Sequence, residues 1–514
     1  MKGYQGDKRA IYLVQPKFPP TIWGMDYLLR MTPYHAIFPP LGLLTLAALT
    51  PSGFKVTVCD ENAGEQVDYA TPAQLVGITG YLLQKSAVLA HADQFRKRGK
   101  TVILGGPVAN LLPEVCRPRC DVLFEGEAEY TWPRFLRDYG GGHWADHYVE
   151  TEKIHLPDSP APRLDLMRRR YAHGIVQCTR GCPFSCEFCD IIVVFGRKMR
   201  FKPIDQVLRE VEAWRRNGVS VVFFADDNFV GHRAYARELL QALARWNSRQ
   251  RRPLAFYTQA SIDIVRDEEL LRLLRDANFN EVFLGIESPR KASLAETHKT
   301  QNVKLNLVEA IHTIQSHNLF VMAGMIVGFD NDDLDIFDEQ YEFCQKAQIP
   351  IIMNNALIAS PKTPLSQRLQ AEGRLLLDDW AEDDFSHTVK QYATNFRPLR
   401  MTMDQLTQGQ KRLIRKLYEP EAFRHRLLGN LSRFQDVRFR SDWLNRGELV
   451  ALFRLMRFYS GQGKQERNFF WQALWSTFRR APRMLVTMAT LLGKYSHILQ
   501  LNGFACAFTR PMTT

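Results

Sequence analysis

Cys182-Pro183-Phe184-Ser185-Cys186-Glu187-Phe188-Cys189 sets three cysteines at C-x3-C-x2-C spacing. Cysteine thiolates ligate iron–sulfur clusters, and closing a four-iron cubane takes four of them. Three leave one iron open to a small molecule, by the logic that separates a catalytic metal site from a closed structural one. With nine cysteines in 514 residues, chance would produce this spacing on the order of 0.003 times per chain. The competing reading is a zinc knuckle completed by Cys178 or His173. That alternative explains nothing further along the chain.

The triplet, with Phe188 directly before its third cysteine, resembles the signature of the radical S-adenosylmethionine (SAM) superfamily. The resemblance implies a [4Fe-4S] cluster on Cys182, Cys186 and Cys189, which are both metal ligands and catalytic residues. It also implies SAM chelated at the open iron and cleaved to a 5′-deoxyadenosyl radical, with Phe188 beside it. In such enzymes the protein supplies position and exclusion of water while the cofactor supplies the hard chemistry.

Working outward, six strand-like runs recur with helices between them, at 174–178, 219–225, 254–258, 281–286, 320–327 and 351–358. Six βα units fit a partial (βα)6 barrel, the core expected of the superfamily, and loops after the strands should then carry the chemistry. The run Ala225-Asp226-Asp227-Asn228-Phe229 caps the second strand, and Asp226, Asp227 and Asn228 resemble the segment that holds SAM's amino group. Acidic and amide acceptors suit an ammonium, whereas a helix N-cap would need only one of them. Glu287 and Ser288, ending the fourth strand, resemble the ribose- and carboxylate-contacting segment. Ile326 and Gly328, ending the fifth, are expected at the adenine, where glycine permits close backbone approach. Ser360-Pro361-Lys362-Thr363-Pro364-Leu365 resembles the closing loop.

Ahead of the barrel, β-branched runs at 10–15, 55–59, 75–79, 101–104 and 122–124 alternate with helical stretches such as 85–98. That rhythm argues for an open parallel sheet, with ligands at the C-terminal strand ends. Its position resembles the cobalamin-binding domain of the cobalamin-dependent radical SAM class. On that resemblance Asn62, Thr79, Gly80, Gly105, Gly106 and Glu127 are the expected cobalamin contacts. Asn62 stands where other cobalamin modules place a cobalt-ligating histidine, which implies cobalt without a protein nitrogen below it.

The expected fold is therefore α/β, in four parts: a Rossmann-like cobalamin-binding domain over 1–145, a linker over 146–170, the barrel over 171–375, and a basic α-helical domain over 376–514. The linker holds Pro157, Pro160 and Pro162 and ends at Arg168-Arg169-Arg170. Net charge is +12, and residues 401–514 carry all of it, with 19 Lys and Arg against 7 Asp and Glu. Large apolar residues interleave with these cations, among them Trp443, Phe453, Phe458, Phe469, Phe470, Trp471, Trp475 and Phe478. Such a tail reads as an ordinary basic helical subdomain, as a surface for anionic membrane, or as a nucleic-acid surface. No apolar run reaches the roughly 18 residues that span a bilayer. The scattered Cys59, Cys116, Cys120, Cys344 and Cys506 form no disulfide framework, and the N-terminus has no apolar signal region; a cytoplasmic protein is expected, peripheral to the inner face of the membrane on the second reading.

Most closely the whole resembles the branch of hopanoid and bacteriochlorophyllide methylases. The resemblance implies a cobalamin-dependent radical SAM methyltransferase that adds a methyl group to an unactivated carbon of a hydrophobic substrate. Its partners would be that small molecule, an external electron donor of the flavodoxin or ferredoxin type and a membrane surface, with no nucleic acid. The alternatives are a cyclase or oxidase with the same cofactors and no methyl transfer, and a non-enzymatic Fe–S or cobalamin sensor.

Overall fold

Two parallel six-stranded sheets carry the chain, seen in a computed structural model that describes residues 7–376, 394–435, 446–461 and 463–504. Trp443 and Cys506 lie outside the described residues. The first sheet contains β1 (Asp7–Gln15), β2 (Lys55–Asp60), β3 (Ala73–Thr79), β4 (Thr101–Gly105), β5 (Val122–Glu125) and β6 (His147–Val149) in the order β2-β1-β3-β4-β5-β6. Its strands are continuous apolar runs because helices cover both faces. Leu13, Val14, Leu75, Val76, Val102 and Leu104 are all fully buried. Strand order reverses between β1 and β3, and open α/β sheets bind ligands in the crevice at such a switch point.

The second sheet is the barrel. It contains β7 (Gly174–Val176), β10 (Val221–Phe224), β11 (Ala255–Ala260), β12 (Phe279–Glu287), β13 (Phe320–Val327) and β14 (Ile351–Ala356), in the order β14-β13-β12-β11-β10-β7. Between β7 and β10 a small antiparallel pair, β8 (Thr179–Arg180) with β9 (Arg200–Phe201), frames the cysteine loop. Amphipathic helices clad the barrel. Ile204–Arg216, for example, buries Val207, Val211 and Trp214 at one-turn spacing.

β6, in the stretch read as linker, is one strand more than the periodicity suggested. It is three residues long with only Tyr148 buried, too short to show an alternation. Residues 16–40 between β1 and helix Leu41–Leu49 carry a second feature without a period. They form a strap that reaches the barrel, where Trp23 meets Phe223 and Phe283 at ring-centroid distances of 6.1 and 5.5 Å.

Helices beyond residue 400 share the barrel's core: Leu413, Phe423, Tyr459, Leu492 and Tyr495 belong to the same buried cluster as Val222, Leu284 and Met322. Tyr418 Oη donates to the Ile352 carbonyl at 2.8 Å, and the buried Arg426 donates to the carbonyls of Ile349 at 2.7 Å and Leu417 at 2.6 Å. The expected boundary near 375 is thus a change of element type with no break in packing. Among the described residues no helix is long and apolar enough to cross a membrane.

Candidate active site

The cysteine loop leaves β8 through Gly181, whose φ of +93° is open to glycine at little cost. A Cβ there would lie 2.8 Å from the Lys198 carbonyl oxygen. Cys186 is buried, while Cys182 and Cys189 are partly open. Burial pushes the Cys189 thiol up to about 12, and the neighbouring Cys182 and Cys186 push the same way. Three crowded thiols are poor neighbours as thiolates unless a metal cluster takes up the charge, and ligation then releases their protons. The donor set fits a cluster.

The zinc-knuckle alternative loses both of its fourth ligands. Cys178 is buried with its Sγ 3.1 Å from each oxygen of Asp226, and His173 Nδ1 bonds Tyr257 Oη at 2.8 Å.

Neighbouring loops hold the cysteine segment from several sides. Glu187, between the second and third cysteines, pairs with Arg368 at 2.6 Å, and Arg368 also reaches Asp330 at 2.8 Å. Gln301 Nε2 approaches Cys186 Sγ at 3.8 Å while its Oε1 is buried without a hydrogen-bond partner. Lys299 is buried beside Cys186 and Cys189 and forms an ion pair with Glu287 at 2.5 Å. Glu287 itself has φ of +66° at a register shift between β12 and β13. A side chain in that region is strained, and such strain gathers at functional sites. Here the bulge turns the carboxylate toward the cysteine loop.

The remaining SAM-site expectations divide by geometry. Asp226 is fully buried and accepts from the Thr179 backbone N–H as well as Cys178, so it ties β10 to β8. Asp227 is partly open, accepts from Gly181 N at 3.0 Å, and is pushed up to about 7 by burial and by Asp226. Asn228 bridges to Ser261 Oγ at 3.2 Å. Ser288 is buried and its hydroxyl accepts from Arg290 N at 3.2 Å; Gly328 is buried and donates to Asp332 at 2.9 Å. Phe188 and Ile326 meet on one apolar wall with Phe329 and Leu357. Cys182, Phe188, Asp227, Asn228, Glu287 and Ile326 thus come together, while Asp226, Ser288 and Gly328 support them from behind.

The switch-point loops of the first sheet meet this region, where Leu82, Leu111 and Leu112 pack with Val193, Val194 and Phe195 just after the third cysteine. Tyr81, which directly follows Thr79 and Gly80 at the end of β3, has a ring that is 55% exposed and packs 5.6 Å from Phe18. Partial desolvation raises its phenol pKa, and Asp227 and Asp190 raise it further. Several of the expected cobalamin contacts have internal tasks. Asn62 accepts from Phe18 N at 2.8 Å and donates to the Pro16 carbonyl at 3.2 Å, binding β2 to the strap. Gly106 has φ of +83° and abuts Thr79 Oγ1, so no side chain fits there. Gly80 is buried and its carbonyl accepts from Val108 N at 2.9 Å; Gly105 packs on Phe124.

Glu127, too, has internal partners. Its oxygens pair with Arg180 and Arg200, each at 2.6 Å, and Arg180 also meets Glu129 at 2.7 Å. This buried clamp joins the first sheet to the strand that launches the cysteine loop.

A six-stranded parallel half-barrel, three cysteines on the loop after its first strand and an acidic run after its second define the class of a radical SAM protein. The radical SAM superfamily pattern matches residues 176–344, and a domain of unknown function (DUF4070) matches 363–507. An uncharacterized methyltransferase of Synechocystis sp. is 32% identical over 95% of this chain and 91% of its own length. The hopanoid C-2 methylase of Rhodopseudomonas palustris is 31% identical over 82% of this chain and 79% of its own. TsrM, a radical SAM methyltransferase of Kitasatospora setae solved with cobalamin and a [4Fe-4S] cluster, superposes with a TM-score of 0.63 at 14% identity, covering 94% of this chain and 99% of that one. The chain belongs to the family of the hopanoid C-2 methylase, whose radical SAM domain spans residues 176–344 here.

Proposed function

We propose that this protein is a cobalamin-dependent radical SAM methyltransferase that methylates an unactivated carbon of a hydrophobic substrate. The observation that carries the reading is the meeting of the first sheet's switch-point loops with the barrel, where Leu82, Leu111 and Leu112 pack on Val194 and Phe195 just after the cysteine loop. Cys182, Cys186 and Cys189 would hold the [4Fe-4S] cluster, which supplies the electron that splits SAM. Asp227 and Asn228 would receive the SAM amino group, Glu287 the ribose, and Phe188 with Ile326 the adenine. Cobalamin would supply the methyl carrier, and Phe18, Tyr81, Gly105 and Gly106 would hold it, with Asn62 offering an amide and no imidazole. The Glu127–Arg180–Arg200 clamp ties the first sheet to the strand before the cysteine loop and would set the spacing between the two cofactors. An external one-electron donor completes the reading. Anaerobic purification, followed by spectra for cluster and cobalamin and by assay of 5′-deoxyadenosine, tests it; reconstituted protein that forms no 5′-deoxyadenosine contradicts it.

Peripheral membrane contact belongs to the same proposal. Helix Lys464–Arg480 exposes Trp471, Trp475 and Phe478 along one stripe at one-turn spacings, with Arg479 and Arg480 beside them. Basic residues bordering exposed aromatic rings suit an anionic bilayer surface. The full chain is expected to co-sediment with phosphatidylglycerol vesicles. Changing Trp475 and Phe478 together to serine should weaken binding by at least about tenfold, the loss expected from roughly 60 Å² of apolar contact. Equal binding to neutral phosphatidylcholine vesicles, or no effect of the double change, would remove membrane contact from the account.

A further inference from the structure

Below the SAM residues the barrel is not filled by its own side chains. A cavity of about 140 Å³ opens there, lined by Tyr257 of β11, Met322 of β13 and Met353 of β14, by Trp23 of the strap, and by Leu455 and Ala489 of the helices Arg446–Ser460 and Leu485–Leu501. Met353 pairs in register with Gly324, two residues before Ile326. At roughly 3.3 Å per residue the cavity therefore begins about 7 Å beneath the level of Ile326. One step above Met353 on the same face of this edge strand, Asn355 is exposed and pairs in register with Ile326.

The lining is mostly apolar, and its polar members have partners: Lys494 is ion-paired with the buried Glu281, Glu448 accepts from Ser220 Oγ, and His173 Nδ1 bonds Tyr257 Oη. Protein interiors are close-packed, with few voids larger than a water molecule, and an apolar void near 150 Å³ stays dry and accepts small hydrocarbons. Methionines at Met322 and Met353 suit such a site, since their flexible thioethers adapt to irregular apolar shapes. Its walls come from three separate stretches of chain. Two wall helices lie within the region 363–507 to which no function is attached.

We propose that this cavity receives the hydrocarbon body of the substrate, and that the C-terminal helices thereby select which apolar molecule is presented to the cysteine loop. The assignment rests on the methyltransferase reading for the word substrate; the cavity's capacity for an apolar ligand does not. Trp23 reaches the lumen on the strap that Asn62 fastens, so one face of the site is built from the first sheet's own loop.

Naphthalene is the probe, with binding to the full-length, cluster- and cobalamin-loaded protein followed by its fluorescence. Saturable uptake is expected. Ala489→Phe, which projects a ring into the cavity, should weaken uptake at least tenfold while SAM binding and substrate-free 5′-deoxyadenosine formation stay within twofold. Met353→Ala, which enlarges the space, should bind naphthalene at least as tightly as the unmodified chain and covers the case in which Ala489→Phe does not fold. No uptake by the unmodified chain, or uptake unchanged by Ala489→Phe in a folded protein, overturns the proposal. Uptake that responds as expected in a protein that transfers no methyl group leaves the cavity standing and removes the methyltransferase reading.

Discussion

Cys186→Ala is expected to lower 5′-deoxyadenosine formation by at least about a thousandfold, a barrier increase on the order of 4 kcal/mol. The reason is stoichiometric: three thiolates hold three irons, and removing the buried one leaves the cubane without a stable seat. Iron content and the electron paramagnetic resonance signal of the reduced protein should fall with the activity. Cys178→Ala is the comparison, because Cys178 is buried against Asp226 and lies outside the loop. It should keep its iron. Equal iron loss in both variants would mean that the triplet does not act as the cluster's ligand set.

Lys299→Met should be damaging in two separable ways. Lys299 and Glu287 are both buried and stand 2.5 Å apart. Removing one member of a buried pair leaves an uncompensated charge and costs about 3–5 kcal/mol. A lowered melting temperature is therefore expected, together with weakened SAM binding. The double variant Glu287→Gln/Lys299→Met removes both charges and should recover most of the stability, since replacing a buried pair is often near neutral. It should not recover SAM binding, because Glu287 is strained toward the cysteine loop at a site where strand pairing shifts. If the double variant bound SAM normally, the pair would be structural only. Calorimetry of SAM binding beside thermal melts distinguishes the outcomes.

The strands of both sheets were legible because parallel strands buried on two faces read as unbroken apolar runs, such as Val221–Phe224. β6 was not, having one buried residue in three. The strap over 16–40 has no period to read, so nothing in its sequence announces that Trp23 lies against Phe283. Within the site, the acidic run after β10 was visible as chemistry, but only the fold separates Asp226, turned inward to β8, from Asp227, left partly open.

Glu127 was read from a local pattern, whereas its partner Arg180 stands 53 positions away, a distance no single sequence resolves. Arg180 does sit two residues before Cys182, and an arginine so close to the cluster loop is a signal that could have been followed. Lys299 and Gln301 escaped because they lie in a short polar run, His298-Lys299-Thr300-Gln301-Asn302, that looks like a surface turn. The fold buries most of it. The C-terminal helices were legible as basic and amphipathic, but their sharing of the barrel core was not, since contact between helices is not written in either helix alone.

The central claim is transfer of a methyl group from SAM to the substrate beside the cysteine loop, where the first sheet's switch-point loops meet the barrel. Its most direct test is mass spectrometry of the product formed by the reconstituted protein from SAM carrying a trideuterated methyl group, with lipid and pigment extracts as the source of substrate. The account predicts a product that carries the intact trideuteromethyl group, formed together with 5′-deoxyadenosine. A product made with 5′-deoxyadenosine and without the label would contradict it.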